Sequence, residues 1–140
     1  MKKFILILTA FTMFTANVPA EIIDSKGIET NISEISPRYI AITEMDNDIS
    51  ISSNKANCYG KTTVTSGYRA RVKVELQQKN GTSWATLKTW NVSGNLSATV
   101  NELYTPTKGN SYRLKTTHYA LNSNGSVAEY VIQYSSTVTY

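Results

Sequence analysis

Apolar and charged residues alternate most regularly over residues 69–78, where Ala70, Val72, Val74 and Leu76 are interleaved with Arg69, Arg71, Lys73 and Glu75. A period of two with one wet face predicts a strand of an antiparallel sheet. Lys79, Asn80, Gly81 and Thr82 follow, and Asn-Gly is the strongest short hairpin signal because both residues accept positive φ. Residues 83–92 are therefore predicted to return as the partner strand. Thr, Val, Ile, Tyr and Trp punctuated by Asn, Gly and Ser predict further strands over residues 39–45, 49–53, 56–65, 96–103, 112–121 and 127–134 or beyond. Turns are expected at residues 46–48, 66–67, 93–95, 106–110 and 122–125, and no helix of normal length is expected after Pro37.

Seven or eight short strands with no helices between them point to an all-β fold, an antiparallel β-sandwich of immunoglobulin-like or fibronectin type III-like architecture. One detail supports that reading. Gly109, Asn110, Ser111, Tyr112, Arg113, Leu114 and Lys115 resemble the penultimate strand of such domains, with Tyr112 as the corner and Leu114 pointing inward. Cys58 then sits on an early strand without a partner cysteine.

The first twenty residues break the pattern. Met1, Lys2 and Lys3 precede an apolar run over residues 4–14, and Val18, Pro19 and Ala20 supply small residues at a cleavage point. This predicts a secretory signal peptide, residues 1–20, cut after Ala20. A membrane anchor would need about 20 apolar residues, whereas Thr9, Thr12 and Thr15 interrupt this run and Asn17 and Pro19 close it. With no cysteine near the cut and no hydrophobic tail, the mature chain is expected to be secreted and released, without stable membrane insertion. Residues 21–35 read as a flexible or short helical lead-in, with Glu21, Asp24, Glu29 and Glu34 against Lys26, and with Ile28, Ile32 and Ile35 at near-helical spacing. Residues 36–140 form the predicted sandwich domain.

Cleavage also changes the composition. Formal charge falls from +4 to about +2 and every Phe is lost, which leaves Tyr and Trp as the aromatic set. One domain's worth of chain remains.

The mature chain resembles a family of uncharacterised small secreted β-sandwich proteins of Gram-positive bacteria. The resemblance rests on Ser36, Pro37, Arg38 and Tyr39 at the start of the domain, on Leu76, Gln77 and Lys79 before the turn, on Trp84, Lys88, Thr89 and Trp90 after it, and on Lys108, Gly109, Tyr112 and Arg113. It implies a sandwich fold and export, and it carries no assigned activity or site.

Candidate chemistry is sparse. A single cysteine provides no internal disulfide framework, and Cys58 reads as a small buried apolar residue more readily than as a reactive thiol or an interchain bridge. One His and one Cys are too few for a zinc site. Asp46, Asn47, Asp48 and Ser50 suggest a calcium loop, but Ile51 stands where the turn needs Gly and Asn57 where a bidentate Glu belongs. Glu75, Glu102 and Glu129 fall on different strands, so no catalytic carboxylate pair can be assigned. His118 is in register with Tyr112, Leu114 and Thr116 and reads as a hydrogen-bonded histidine on a half-buried face. A nucleophile-elbow pattern is missing, and neither an enzyme, a metal nor a cofactor is expected. The five Asn-x-Ser/Thr triplets, at Asn31, Asn80, Asn91, Asn95 and Asn124, are what a chain rich in these residues contains by chance.

Charge distribution is more suggestive. Residues 21–60 hold seven acids and three bases, whereas residues 61–140 hold three acids and nine bases. If the hairpin strand and the penultimate strand are neighbours, Arg69, Arg71 and Lys73 lie beside Arg113 and Lys115 in a five-member basic stripe. Such a stripe serves as a solvated face that discourages aggregation, or it binds a polyanion in a salt-dependent way. Trp84, Trp90, Tyr119 and Tyr130 would extend it with rings that stack on sugars. Trp84 and Trp90 share strand parity, so a bulge or twist between them decides which is buried. The expected partner is a cell-wall or surface polysaccharide, or another protein, and not nucleic acid. The function expected is that of a small secreted non-enzymatic binding module. The alternative is a bacteriocin-like toxin or effector acting on neighbouring cells.

Overall fold

A computed structural model describes residues 39–140; the predicted signal peptide and lead-in lie outside the described residues. Eight strands follow in order: β1 (Ile42–Ser52), β2 (Lys55–Val64), β3 (Arg69–Asn80), β4 (Ser83–Gly94), β5 (Ser97–Tyr104), β6 (Ser111–Leu121), β7 (Val127–Tyr134) and β8 (Val138–Thr139). No helix occurs among the described residues. The strands make two antiparallel sheets, one ordered β1-β2-β5 and the other β4-β3-β6-β7, with β8 paired to the start of β6.

The sheets face each other as in a β-sandwich. Period-two alternation on β3 sends Ala70, Val72, Val74 and Leu76 inward, where they meet Tyr112 and Leu114 of β6 and, from the other sheet, Ile49, Cys58 and Val100. Gly60 on β2 marks a close approach: a Cβ there would lie 2.6 Å from Val74 Cγ2 and 3.3 Å from Thr116 Cγ2. Only a residue without a side chain lets the two sheets come together at that point.

Tyr112 is fully buried, and its hydroxyl accepts the Thr107 N–H (2.8 Å) and donates to the Thr107 carbonyl (3.2 Å). The ring thus pins the loop before β6, and Leu114 points inward, as the sequence predicts. Cys58 is buried and free, and burial pushes its thiol up to about 12. His118 is more deeply placed than predicted. It is fully buried between the sheets, with Nδ1 2.8 Å from Thr62 Oγ1 of β2.

Two local expectations are corrected. Residues 39–53 are not two strands with a turn at 46–48, because β1 runs unbroken through Asp46, Asn47 and Asp48. Its parity explains this: Ile49 and the half-buried Met45, Asn47 and Ile51 share one face, while Glu44, Asp46, Asp48 and Ser50 are exposed on the other. Outward carboxylates on an edge strand discourage pairing with a second chain. The turn lies instead at Ser53 and Asn54, both at positive φ (47° and 60°), which makes a two-residue hairpin loop of type I′ character. In the β3–β4 hairpin Asn80 still pairs with Ser83, so the loop is Gly81-Thr82. Only Gly81 has positive φ (62°), the type II′ pattern rather than an Asn-Gly turn.

Candidate functional site on the outer face of the four-stranded sheet

The outward residues of β3 and β6 do share one face, and the antiparallel register decides their order. Arg71 lies opposite Tyr119, Lys73 opposite Thr117, Glu75 opposite Lys115, and Gln77 opposite Arg113. Arg69 stands at one end, opposite Leu121, and Arg113 at the other. The five cations of the expected stripe therefore lie on adjacent strands, spaced by Glu75, Gln77 and Tyr119. Glu75 carries a carboxylate into the middle of the face, 3.5 Å from Lys73 Nζ.

A bulge in β4 separates the two tryptophans. Leu76 pairs with Lys88 and Gln77 with Thr86, which leaves Leu87 as an extra residue. One added residue inverts the parity of everything before it. Trp90, opposite Val74, packs against the core, whereas Trp84 lies opposite Lys79 on the outer face. Trp90 thus leaves the predicted ring platform.

Two aromatic–cation clusters occupy the ends of the face. In the first, the Arg113 guanidinium carbon lies 4.2 Å from the Trp84 ring centroid and 4.4 Å from that of Tyr134. Arg113 Nε donates to Gln77 Oε1 (2.9 Å), and Gln77 Nε2 in turn donates to Thr86 Oγ1 (3.4 Å). In the second, Arg71 sits 4.1 Å over the Tyr119 ring, and Tyr119 and Tyr130 have centroids 6.3 Å apart at an interplanar angle of 34°. Each cation–ring contact contributes of order 0.5–1 kcal/mol where solvent reaches it, and each holds a long side chain in one rotamer.

An open groove of ≈ 430 Å³ runs beside the second cluster, lined by Lys73, Glu75, Lys115 and Thr117 from β3 and β6, by Tyr119 and Tyr130, and by Val127 and Ile132 of β7. Its wall on β7 is apolar where a sheet's outer face is ordinarily polar: Tyr130 is 61% exposed, Val127 46% and Ile132 44%. Rings and methyls beside two ammonium groups suit a ligand with both apolar ring faces and negative charge.

Sequence reasoning placed Glu75 on the wet face of β3 and missed Gln77, Thr117, Ile132 and Tyr134 as parts of this site. The signal for the β7 residues was present, since Tyr130, Ile132 and Tyr134 alternate with period two and apolar residues at the outward parity mark a surface with a use. The remaining candidates for chemistry are dispersed. Glu129 is the most engaged of the acids: its carboxylate accepts the N–H groups of Ile40 (3.1 Å), Ala41 (2.9 Å) and Ile42 (2.9 Å), tying β7 to the entrance of β1. Partial burial opposes its ionisation, and the three backbone donors outweigh that and hold the carboxyl below its ordinary range. Among the described residues no three His, Cys, Asp or Glu side chains converge on a point that could hold a metal ion.

The chain matches no protein-family model, and no curated protein matches it. What the protein does is therefore read from this face and its chemistry.

Proposed function

We propose that the protein is a secreted, non-enzymatic binding module of immunoglobulin-like or fibronectin type III-like architecture that takes acidic glycans on the outer face of its four-stranded sheet. The groove carries this reading: Tyr119 and Tyr130 offer ring faces for stacking on sugars, while Lys73 and Lys115 beside them offer charge for an anionic substituent. Glu75 works against a purely electrostatic surface and favours recognition of a patterned ligand over capture of any polyanion. The architecture is supported by pairing of the second strand with the fifth, the third with the sixth and the sixth with the seventh, and by the tyrosine corner at the start of β6. Export is supported by the basic, apolar and small-residue pattern of residues 1–20.

Retention of the chain lacking residues 1–20 on immobilised acidic polysaccharide tests this, with a neutral polysaccharide as the control. Binding is expected at low salt, weakening as salt rises. Replacing Tyr119 and Tyr130 together by Ala is expected to reduce affinity by roughly tenfold or more, about 1.4 kcal/mol per tenfold. No retention at low salt, or equal retention of the double variant, overturns the proposal.

A further inference from the structure

Arg113 is held in a way that a merely solvated arginine is not. Its guanidinium carbon lies 4.2 Å from the ring centroid of Trp84, from the β4 side, and 4.4 Å from that of Tyr134, from the β7 side, and its Nε is bonded to Gln77 Oε1 at 2.9 Å. Gln77 is itself buried, 7% exposed, and bonded to Thr86, so the guanidinium is held by two rings and one fixed hydrogen bond. Among the described residues no carboxylate pairs with Arg113, and the nearest acid on the same face across the ladder, Glu75, is engaged with Lys73. Among the described residues, only the Nε donor of the fork's five N–H groups is taken, and those on the two Nη atoms have no partner there. A fork whose orientation is prepaid loses little entropy when it binds a planar or tetrahedral oxyanion bidentately, and the flanking rings exclude water and strengthen the pair.

We propose that Arg113, clamped between Trp84 and Tyr134 and oriented by Gln77, is an oxyanion-reading site that takes a carboxylate or phosphodiester group of an acidic glycan. This rests on the binding role of the same face and adds the group that is recognised. Arg113 and Tyr119 are six residues apart on β6, roughly 20 Å along the strand, so a ligand that engages both the clamp and the Tyr119 ring is an oligomer and not a single sugar.

Trp84 provides the readout. In a Trp90→Phe background it is the one tryptophan of the chain, and its ring touches the reading group. Titration with glucuronate-containing oligosaccharides or with glycerol-phosphate oligomers is expected to change its emission saturably, whereas a neutral oligosaccharide leaves it unchanged. A response to the first assigns a carboxylate and to the second a phosphodiester. Arg113→Lys retains the charge and loses the fork, and it is expected to weaken the responding oligomer by roughly tenfold or more. Tyr134→Leu, at an exposed position, removes one of the two rings beside the guanidinium and is expected to weaken it by a smaller factor; it stands in should Arg113→Lys fail to fold. Unaltered affinity in the folded Arg113→Lys protein, or in Tyr134→Leu where it stands in, overturns the clamp while polysaccharide retention continues. Loss of retention in the parent protein is the separate failure of the binding role.

Discussion

His118 and Glu129 both couple ionisation to folding as pH falls, and they act in the same direction. Burial holds the imidazole of His118 below its ordinary value of 6.5, against the opposing pull of the nearby Gln133 side chain and Lys61 carbonyl. The unfolded chain therefore takes up a proton first as pH falls, so the stability due to the neutral histidine is complete above 6.5 and is lost progressively below it. Glu129 follows at lower pH. Its folded carboxyl lies below the ordinary 4.5, so its contribution is present above that value and disappears as pH falls through the folded value. Thermal unfolding followed from pH 8 to pH 3 is expected to show a decline starting near neutrality and a second, steeper one in the acid range. Glu129→Gln keeps the shape of the side chain but replaces one accepting oxygen by an NH2 donor, so at least the bond from Ile40 is lost and the others lose their charge; it is expected to flatten the second decline and to cost about 1 kcal/mol at neutral pH, a modest figure because water reaches the carboxylate. Equal acid sensitivity in the variant and the parent would sink the assignment to Glu129.

Within the elements, side-chain direction follows from local parity until an irregularity resets it. On β3 the alternation legible in the sequence is the alternation observed, because a strand buried on one face has only one register that keeps its apolar set dry. On β4 the same reasoning stops at Leu87. That residue sits in a strand exposed over most of its length, where no buried face penalises an extra residue, and the bulge sends Trp84 and Trp90 to opposite sides. Deleting Leu87 leaves Thr86 and Lys88 consecutive opposite Gln77 and Leu76, so the ladder becomes regular, every other pair is kept and Trp84 stays opposite Lys79 on the outer face. The Trp84 emission and the clamp's ligand response are expected to match those of the parent. A shifted Trp84 emission in the folded deletion variant would mean that the register moves with Leu87 and that the residue does more than bulge out of the ladder. Composition was the poorer guide at Asp46, Asn47 and Asp48, which read as a turn yet lie in mid-strand, since two of them need only face water and the third, Asn47, is half-buried on the other side.

At the scale of the molecule, the working face is assembled from four strands that are far apart in the chain and adjacent in the sheet. Its charges are consequently unequal in importance. Lys115 borders the groove, whereas Arg69 stands at the end of the ladder opposite Leu121. Lys115→Gln is expected to reduce retention on acidic polysaccharide severalfold, Arg69→Ala to change it little, and both to leave stability within about 0.5 kcal/mol because neither side chain is in the core. Comparable losses from both substitutions would return the face to a diffuse basic surface. The strands from β2 to β7, their inward residues outside β4, the Tyr112 corner and the burial of Cys58 were legible from the chain alone, because alternation, corner spacing and a lone apolar thiol are properties of neighbouring residues. The placement of the β6 cations against the charges of β3, the clamp on Arg113 and the pairing of His118 with Thr62 required the folded molecule. Each depends on which strand lies beside or across from which and in what register, and hydrogen-bonded ladders between distant segments set that with no trace in the local pattern.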